Sequence, residues 1–281
     1  MISVDNLFFS YTHQPFIEGI SFDVKAGEIF GFLGPSGAGK STLQKILTGL
    51  ISRYDGHVSV DGEEAGNPGK HFYEKIGVDF EFPSLYEKLT GMENLKFFAS
   101  LYPKSRAPEA LLKSVGLNMD ADKKVSDYSK GMKSRLNFIK ALMHDPNILF
   151  LDEPTSGLDP SNARVMKDMI LEEKAKGKTI ILTTHNMYDA TELCDRVAFI
   201  LDGAIVALDS PRALIMKKGA ASLVYTYLEN GLEKESTISL TETGSDKTLQ
   251  RLIAENKVLS IHSSEPTLND IFVELTGRQL Q

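Results

Sequence analysis

The sequence predicts an α/β fold with a largely parallel sheet, and three stretches carry that expectation. Glu28 to Leu33 is a short apolar run entering Gly34-Pro35-Ser36-Gly37-Ala38-Gly39-Lys40-Ser41-Thr42, after which Leu43, Ile46, Leu47 and Leu50 recur at helical spacing. Asn147 to Leu151 is a continuous apolar run, as a strand buried on both faces requires, and it ends in Asp152 and Glu153. Thr179 to Thr183 is β-branched and follows a helical stretch, Ser161 to Lys176, closed by Gly177. Strands alternating with helices in this way form parallel sheets flanked by crossover helices.

Taken in order, Ile2 to Tyr11 alternates polar and apolar residues as a half-buried strand does, Ile20 to Val24 is a second strand, and Lys25-Ala26-Gly27-Glu28 turns into the third. Thr42 to Leu50 is a helix and His57 to Val60 a strand turned at Asp61-Gly62. The polar stretch Glu63 to Lys70 contains Gly66, Pro68 and Gly69 and reads as a surface loop before a strand at Ile76 to Phe80. Glu93 to Leu101, Ala107 to Val115 and Gly131 to Leu142 then read as helices, which implies a helical subdomain (about residues 85–145) inserted into the strand-rich core. After the core resumes, Met187 to Cys194 is a helix, and Val197 to Leu201 is a strand turned at Asp202-Gly203.

Gly219 to Ser222 marks a boundary between a large domain, 1–218, and a small α+β domain, 219–281. The small domain reads as a hairpin, Leu223 to Tyr227 and Ser236 to Leu240 about Asn230-Gly231. A helix at Asp246 to Glu255, a strand at Val258 to Ile261 and a last helix bearing Leu268, Ile271, Phe272 and Leu275 complete it. With 281 residues, 42% of them apolar and 25% charged, there is material for a substantial core. A net charge of −7 argues against nucleic acid as a partner, because phosphate backbones are bound by basic surfaces. The single cysteine, Cys194, cannot form an internal disulfide and suits a reducing, cytoplasmic setting. No apolar run approaches the roughly 20 residues of a membrane span, and Met1 to Asp5 lacks the look of a secretory signal.

The chemistry begins at Gly34 to Thr42, which satisfies the phosphate-loop pattern G-x-x-x-x-G-K-[ST] between a strand and a helix. Glycine backbones turn successive N–H groups inward, the helix start adds its positive dipole end, Lys40 supplies a point charge and Ser41 a hydroxyl for Mg²⁺. A nucleoside triphosphate is the expected ligand. Asp152 would stand at the C-terminal edge of the sheet and hold Mg²⁺, and Glu153 could polarise the attacking water; helix capping is the plainer role for such a pair. Tyr11 is a candidate to stack on the base, although its spacing alone favours packing over ligand contact, and Phe16 competes for the role.

Three further stretches narrow the identity: Tyr128-Ser129-Lys130-Gly131-Met132-Lys133, Ser156-Gly157-Leu158-Asp159-Pro160 and Thr183-Thr184-His185. Their order after the phosphate loop resembles the nucleotide-binding subunits of ATP-binding cassette (ABC) transporters over residues 1 to 213. The resemblance implies that Tyr11 stacks on adenine and that Gly34, Gly37, Gly39, Lys40, Ser41 and Thr42, with the intervening Pro35, Ser36 and Ala38, cradle the phosphates. It makes Glu153 the catalytic carboxylate and His185 the switch residue at the γ-phosphate. Ser129 and Gly131 match the signature that serves the opposite subunit's nucleotide, with Lys130 in place of the usual glycine, and Asp159 matches the loop crossing the dimer interface. His13, His57, His71, His144 and His262 read as structural.

One residue departs from the family pattern: Glu81 stands where a glutamine usually contacts Mg²⁺ and water. Such a glutamate resembles exporters that protect against lantibiotic peptides. The tail, Glu265 to Phe272 and Leu275 to Arg278, looks like that of drug and antibiotic exporter ATPases. The implied protein is an ATP-hydrolysing, Mg²⁺-dependent export subunit, peripheral on the inner membrane face through a permease and dimeric with a second copy. The alternative is a soluble cassette ATPase acting on ribosomes or DNA.

Overall fold

The computed structural model describes residues 2–82, 84–218, 222–229, 231–264 and 266–278, and it separates into two compact units that part between Ser210 and Pro211. The sequence boundary at Gly219, the Asn230 turn position and Glu265 of the tail lie outside the described residues. The first unit begins with β1 (Ile2–Phe9), β2 (Ile17–Val24), β3 (Ile29–Leu33), α1 (Lys40–Leu47), β4 (Asp55–Val60), β5 (Glu63–Glu64), α2 (Phe72–Lys75) and β6 (Ile76–Asp79). A strand-free stretch carries α3 (Gly91–Ala99), α4 (Pro108–Ser114) and α5 (Lys130–Ala141). The chain then returns through β7 (Ile148–Asp152), α6 (Pro160–Ala175), β8 (Thr179–Thr184), α7 (Met187–Leu193), β9 (Arg196–Leu201) and β10 (Ala204–Asp209).

The main sheet has the order β10-β9-β3-β8-β7-β6 and is parallel except for the β9–β10 hairpin. A second, antiparallel sheet has the order β2-β1-β4-β5. Aromatic rings join the two: Phe22 of β2 stacks on Phe30 of β3 at 5.5 Å and meets Phe32 edge-on at 5.2 Å. β3, β7 and β8 are buried along their whole lengths, which is why their sequences are apolar runs and do not alternate. Gly31 is required in β3 because a Cβ there would lie 2.7 Å from Cys194 Sγ. That buried thiol is packing material, and burial pushes its pKa up.

Several elements differ from the sequence reading, and α2 is a helix it did not contain. α1 starts at Lys40, inside the loop motif, because Gly39 (φ 111°) supplies a left-handed start that lets the helix begin on the lysine. The Glu63 to Lys70 loop contains the two-residue strand β5, too short for any periodicity to register. β10 was hidden because it lies at the sheet edge with partly exposed residues throughout.

Helix ends are fixed by side chains: Thr90 and Glu93 form a reciprocal capping box on α3, Ser129 caps α5 through Met132 N, and Asp159 caps α6 through Ser161 N and Asn162 N. The α3–α5 block is fastened to the core by a charged cluster. Arg106 grips the buried Glu173 of α6 with both terminal nitrogens at 2.8 and 2.7 Å, and Lys176 adds a bond at 2.7 Å. Asp145 bonds Arg106 and Lys178.

The second unit holds α8 (Pro211–Lys218), β11 (Ser222–Glu229), β12 (Leu232–Ser239), α9 (Lys247–Ala254), β13 (Val258–Ser264) and α10 (Leu268–Thr276). Its antiparallel sheet has the order β12-β11-β13, and Tyr225, Leu249 and Leu252 form a small core between sheet and α9. α8, which lacks the amphipathic stripe that betrays helices in sequence, lies beside α10.

Burial alone would raise the Glu173 pKa, but the bonds from Arg106 and Lys176 and the nearby Lys178 outweigh it and hold the carboxyl at about 2. A carboxyl held below its unfolded pKa stabilises the fold above that unfolded value, and the contribution is lost as pH falls through the folded one. Glu173→Gln is therefore expected to lower the stability of the first unit at pH 7 by about 3 kcal/mol. It should also flatten the loss of stability between about pH 5 and pH 2, measured by denaturant unfolding across pH.

Candidate nucleotide site

The parallel strands β3, β7 and β8 deliver their C-terminal ends to one edge, where a 260 Å³ cavity is lined by Phe16, Ser36, Gly37, Gly39, Lys40, Ser41, Thr42, Glu81, Asp152, Glu153 and His185. Residues far apart in sequence meet there because open parallel sheets place their connecting loops at that edge. Gly37 and Gly39 have φ of 83° and 111°, which turns the loop around the start of α1. Gly34 is fixed for a second reason: a Cβ on it would fall 2.2 Å from Ile200 O.

Lys40 is buried, and its ammonium bonds the carbonyls of Gly34 and Pro35 at 2.6 and 3.0 Å. Burial lowers its pKa, and Glu153, Asp152 and Glu81, in that order, oppose the shift. The lysine is thus held charged-side inward by carbonyl dipoles and by a triad of carboxylates across the cavity.

Asp152 closes β7 and accepts the hydroxyl of Thr183 from the neighbouring strand. Glu153 follows in a left-handed conformation, φ 51°, which a side-chain-bearing residue adopts at a cost of about 1–3 kcal/mol. Neighbouring groups hold it there. His185 N donates to Glu153 Oε1 at 2.9 Å, His185 Nδ1 donates to the same oxygen at 2.7 Å, and Thr184 Oγ1 donates to Oε2 at 3.2 Å. Thr183 and Thr184 escaped the sequence reading as site residues because they also satisfied a plain β-strand pattern. The signal was their place at the end of the strand beside β7.

Of the aromatic candidates, Phe16 lines the cavity, whereas Tyr11 does not. Tyr11 is more than half exposed, its hydroxyl lies 3.0 Å from Thr42 Oγ1, and its ring meets Phe9 and Phe16 edge-on at 4.7 and 5.4 Å. Ala38 is buried beneath the loop, with its carbonyl accepting Gly203 N. Ser129, Gly131 and Asp159 also lie outside the cavity lining. Ser129 and Asp159 cap their helices, and Gly131 faces Leu158.

Asp79, two residues before Glu81, does not line the cavity. It is buried against Asn137, and burial, only partly countered by Lys140 and Asn137, pushes its carboxyl up to about 7. The oxygen donors on the cavity wall, Ser41, Glu81 and Asp152, suit a hard cation. Among the described residues no cluster of His, Cys, Asp or Glu side chains could by itself enclose a metal ion. A cation here would complete its shell from phosphate and water, which is how Mg²⁺ is commonly held.

The ABC transporter family profile matches residues 17–156. The fluoroquinolones export ATP-binding protein of Mycobacterium tuberculosis (strain ATCC 25618 / H37Rv) is 50% identical over 284 residues, covering 100% of this chain and 94% of that protein. The linearmycin resistance ATP-binding protein of Bacillus subtilis (strain 168) is 33% identical and is matched over 100% of both chains. A solved ATP-binding subunit of an ABC transporter superposes with a TM-score of 0.71 at 30% identity, covering 77% of this chain and 92% of that one.

Gly34→Ala is expected to displace the loop, lowering stability by about 1–3 kcal/mol. Affinity for a fluorescent ATP analogue should fall at least about tenfold, or about 1.4 kcal/mol, in a titration of the purified chain.

Proposed function

The chain belongs to the ABC transporter family, and from that premise we propose that it energises export of a drug, antibiotic or antimicrobial peptide from the cytoplasmic face of a membrane, working as a homodimer. As an ABC export subunit it binds nucleotide, hydrolyses ATP and works with a permease. No helix among the described residues is long and apolar enough to cross a membrane. The relatives are export and resistance subunits and lend no support to a ribosome- or DNA-directed ATPase.

The observation that carries the mechanism is the grip of His185 and Thr184 on Glu153, across the cavity from Lys40. Lys40 exchanges its carbonyl partners for phosphate oxygens, and the backbone N–H groups of the Gly34–Thr42 loop bind the remaining phosphate charge. Glu153 orients water for attack on the terminal phosphorus, with His185 fixing the carboxylate's position. Ser41, Asp152 and Glu81 would hold Mg²⁺, which would neutralise phosphate charge. Phe16 or Tyr11 stacks on the base. Ser129 and Gly131 of the partner subunit complete the site, with Asp159 at the interface. ATP thereby favours the closed pair, and hydrolysis removes the contact that favoured it.

A Glu81 carboxylate makes hydrolysis depend more steeply on Mg²⁺ than an amide would, because it adds negative charge beside the terminal phosphate. This glutamate also favours a peptide-antibiotic cargo of the lantibiotic type.

Glu153→Gln should cut steady-state hydrolysis at least about 100-fold while ATP affinity stays near that of the wild type. The variant should accumulate as an ATP-bound dimer in light scattering. Turnover at the wild-type rate would remove Glu153 from the mechanism. Glu81→Gln should retain ATP binding and shift the Mg²⁺ titration of hydrolysis; superimposable titrations would exclude Glu81 from the cation site.

A further inference from the structure

We infer that Asn137 is a positioning residue that locks Glu81 to the helix bearing Ser129 and Gly131, so that the two parts of the site move as one body. The inference rests on the proposed roles of Glu81 and of the α5 start.

Asn137 is a buried amide in the middle of an otherwise apolar stretch of α5, Leu136 to Ile139. Its Nδ2 donates to the carboxylate of Asp79, the last residue of β6, and to Phe80 O at 3.2 Å. The residue that follows Phe80 is Glu81. Asn137 Oδ1 has no hydrogen-bond partner among the described residues. Leaving a buried amide oxygen unpaired is unfavourable, and a leucine of similar size would avoid it. What the amide contributes is therefore what its nitrogen holds.

Other bonds lie on the same stripe of the helix. Lys133, Asn137 and Lys140 fall at i, i+4 and i+7, so they share a face. Lys133 Nζ bonds Glu87 at 2.7 Å, and Lys140 Nζ reaches Ser84 O at 3.4 Å while lying 5.2 Å from the centre of the Phe98 ring. This one face thus bonds Asp79, Phe80, Ser84 and Glu87, with Asn137 as its buried central point.

The lever has a defined geometry. At 1.5 Å per residue, Asn137 lies about 12 Å along the helix from Ser129. On the other side, β6 pairs with β7 so that Asp79 stands beside Leu151, the residue before Asp152. A rotation of α5 is transmitted through Asn137 to the backbone immediately before Glu81 at the edge of the nucleotide cavity. Ser129 and Gly131 can then reach the partner subunit's nucleotide only with Glu81 displaced in step.

The test uses the purified full chain and steady-state Mg-ATP hydrolysis. Asn137→Leu and Asp79→Leu should each lower kcat at least about tenfold with KM changed less than about threefold, the signature of lost transition-state positioning. Asp79→Asn keeps an acceptor oxygen for the Asn137 amide and should stay within about threefold of wild-type kcat. With the clamp cut, Glu81→Gln should have little further effect, so the Asn137→Leu/Glu81→Gln double variant resembles Asn137→Leu alone. Full additivity of the two changes would overturn the clamp while leaving the role of Glu81 intact. Wild-type kcat in both leucine variants would overturn it as well. If Glu81→Gln is silent in the otherwise native chain, the reading beneath the clamp fails and the clamp goes with it. Should a leucine variant unfold, Asn137→Ser, which is too short to reach Asp79, carries the same expectation.

Discussion

A lysine ammonium taken almost wholly out of water must have its charge answered, and the edge of the main sheet is organised around that of Lys40. Two carbonyls of its own loop approach it directly, and Glu153, Asp152 and Glu81 surround it at longer range. Each carboxylate is in turn brought to the cavity by a different device. Asp152 comes as the last residue of a strand, Glu153 as a left-handed residue anchored by the neighbouring strand, and Glu81 from the segment fastened to α5. The arrangement is complementary to an anion that would insert between lysine and acids with a cation alongside it.

Much of this was legible in the sequence, for reasons that differ by element. The phosphate loop announces itself because glycine and lysine at fixed spacing have few other uses between a strand and a helix. β7 and β8 were legible because strands buried on both faces must be apolar throughout. Edge elements were not: β10 and β5 lack that constraint, and α2 spans barely one turn. At the site, Asp152, Glu153 and His185 were legible as site residues, while Thr183 and Thr184, though part of the stretch that ends in His185, carried no assigned role, because a threonine in a strand needs no special explanation. Asn137 was obscured in the same way. An amide in a helix reads as surface until the packing shows its side chain buried against another element.

The helical block between β6 and β7 is attached to the core by two chemically distinct fastenings. At the start of β7 and beside α6, charges dominate: Arg106 forks onto a carboxylate that is itself out of water, so both partners lose if either moves. At the cavity end of β6 the fastening is a neutral amide on a buried carboxyl, flanked by lysine bonds to Glu87 and Ser84. The block is thus held at both places, by a forked ion pair at one and by two hydrogen bonds from a single buried amide at the other.

Cys194 is the only cysteine in the chain, and it is sealed against β3 where Gly31 leaves room for its sulfur. Burial favours the protonated thiol and shields it, so alkylating reagents and spin labels should react with it only slowly in the folded protein. The native chain is consequently its own low background for site-directed labelling. A thiol introduced on either side of the nucleotide cavity would be the sole fast-reacting one, and distances between two subunits could be followed through the ATP cycle without first altering the core.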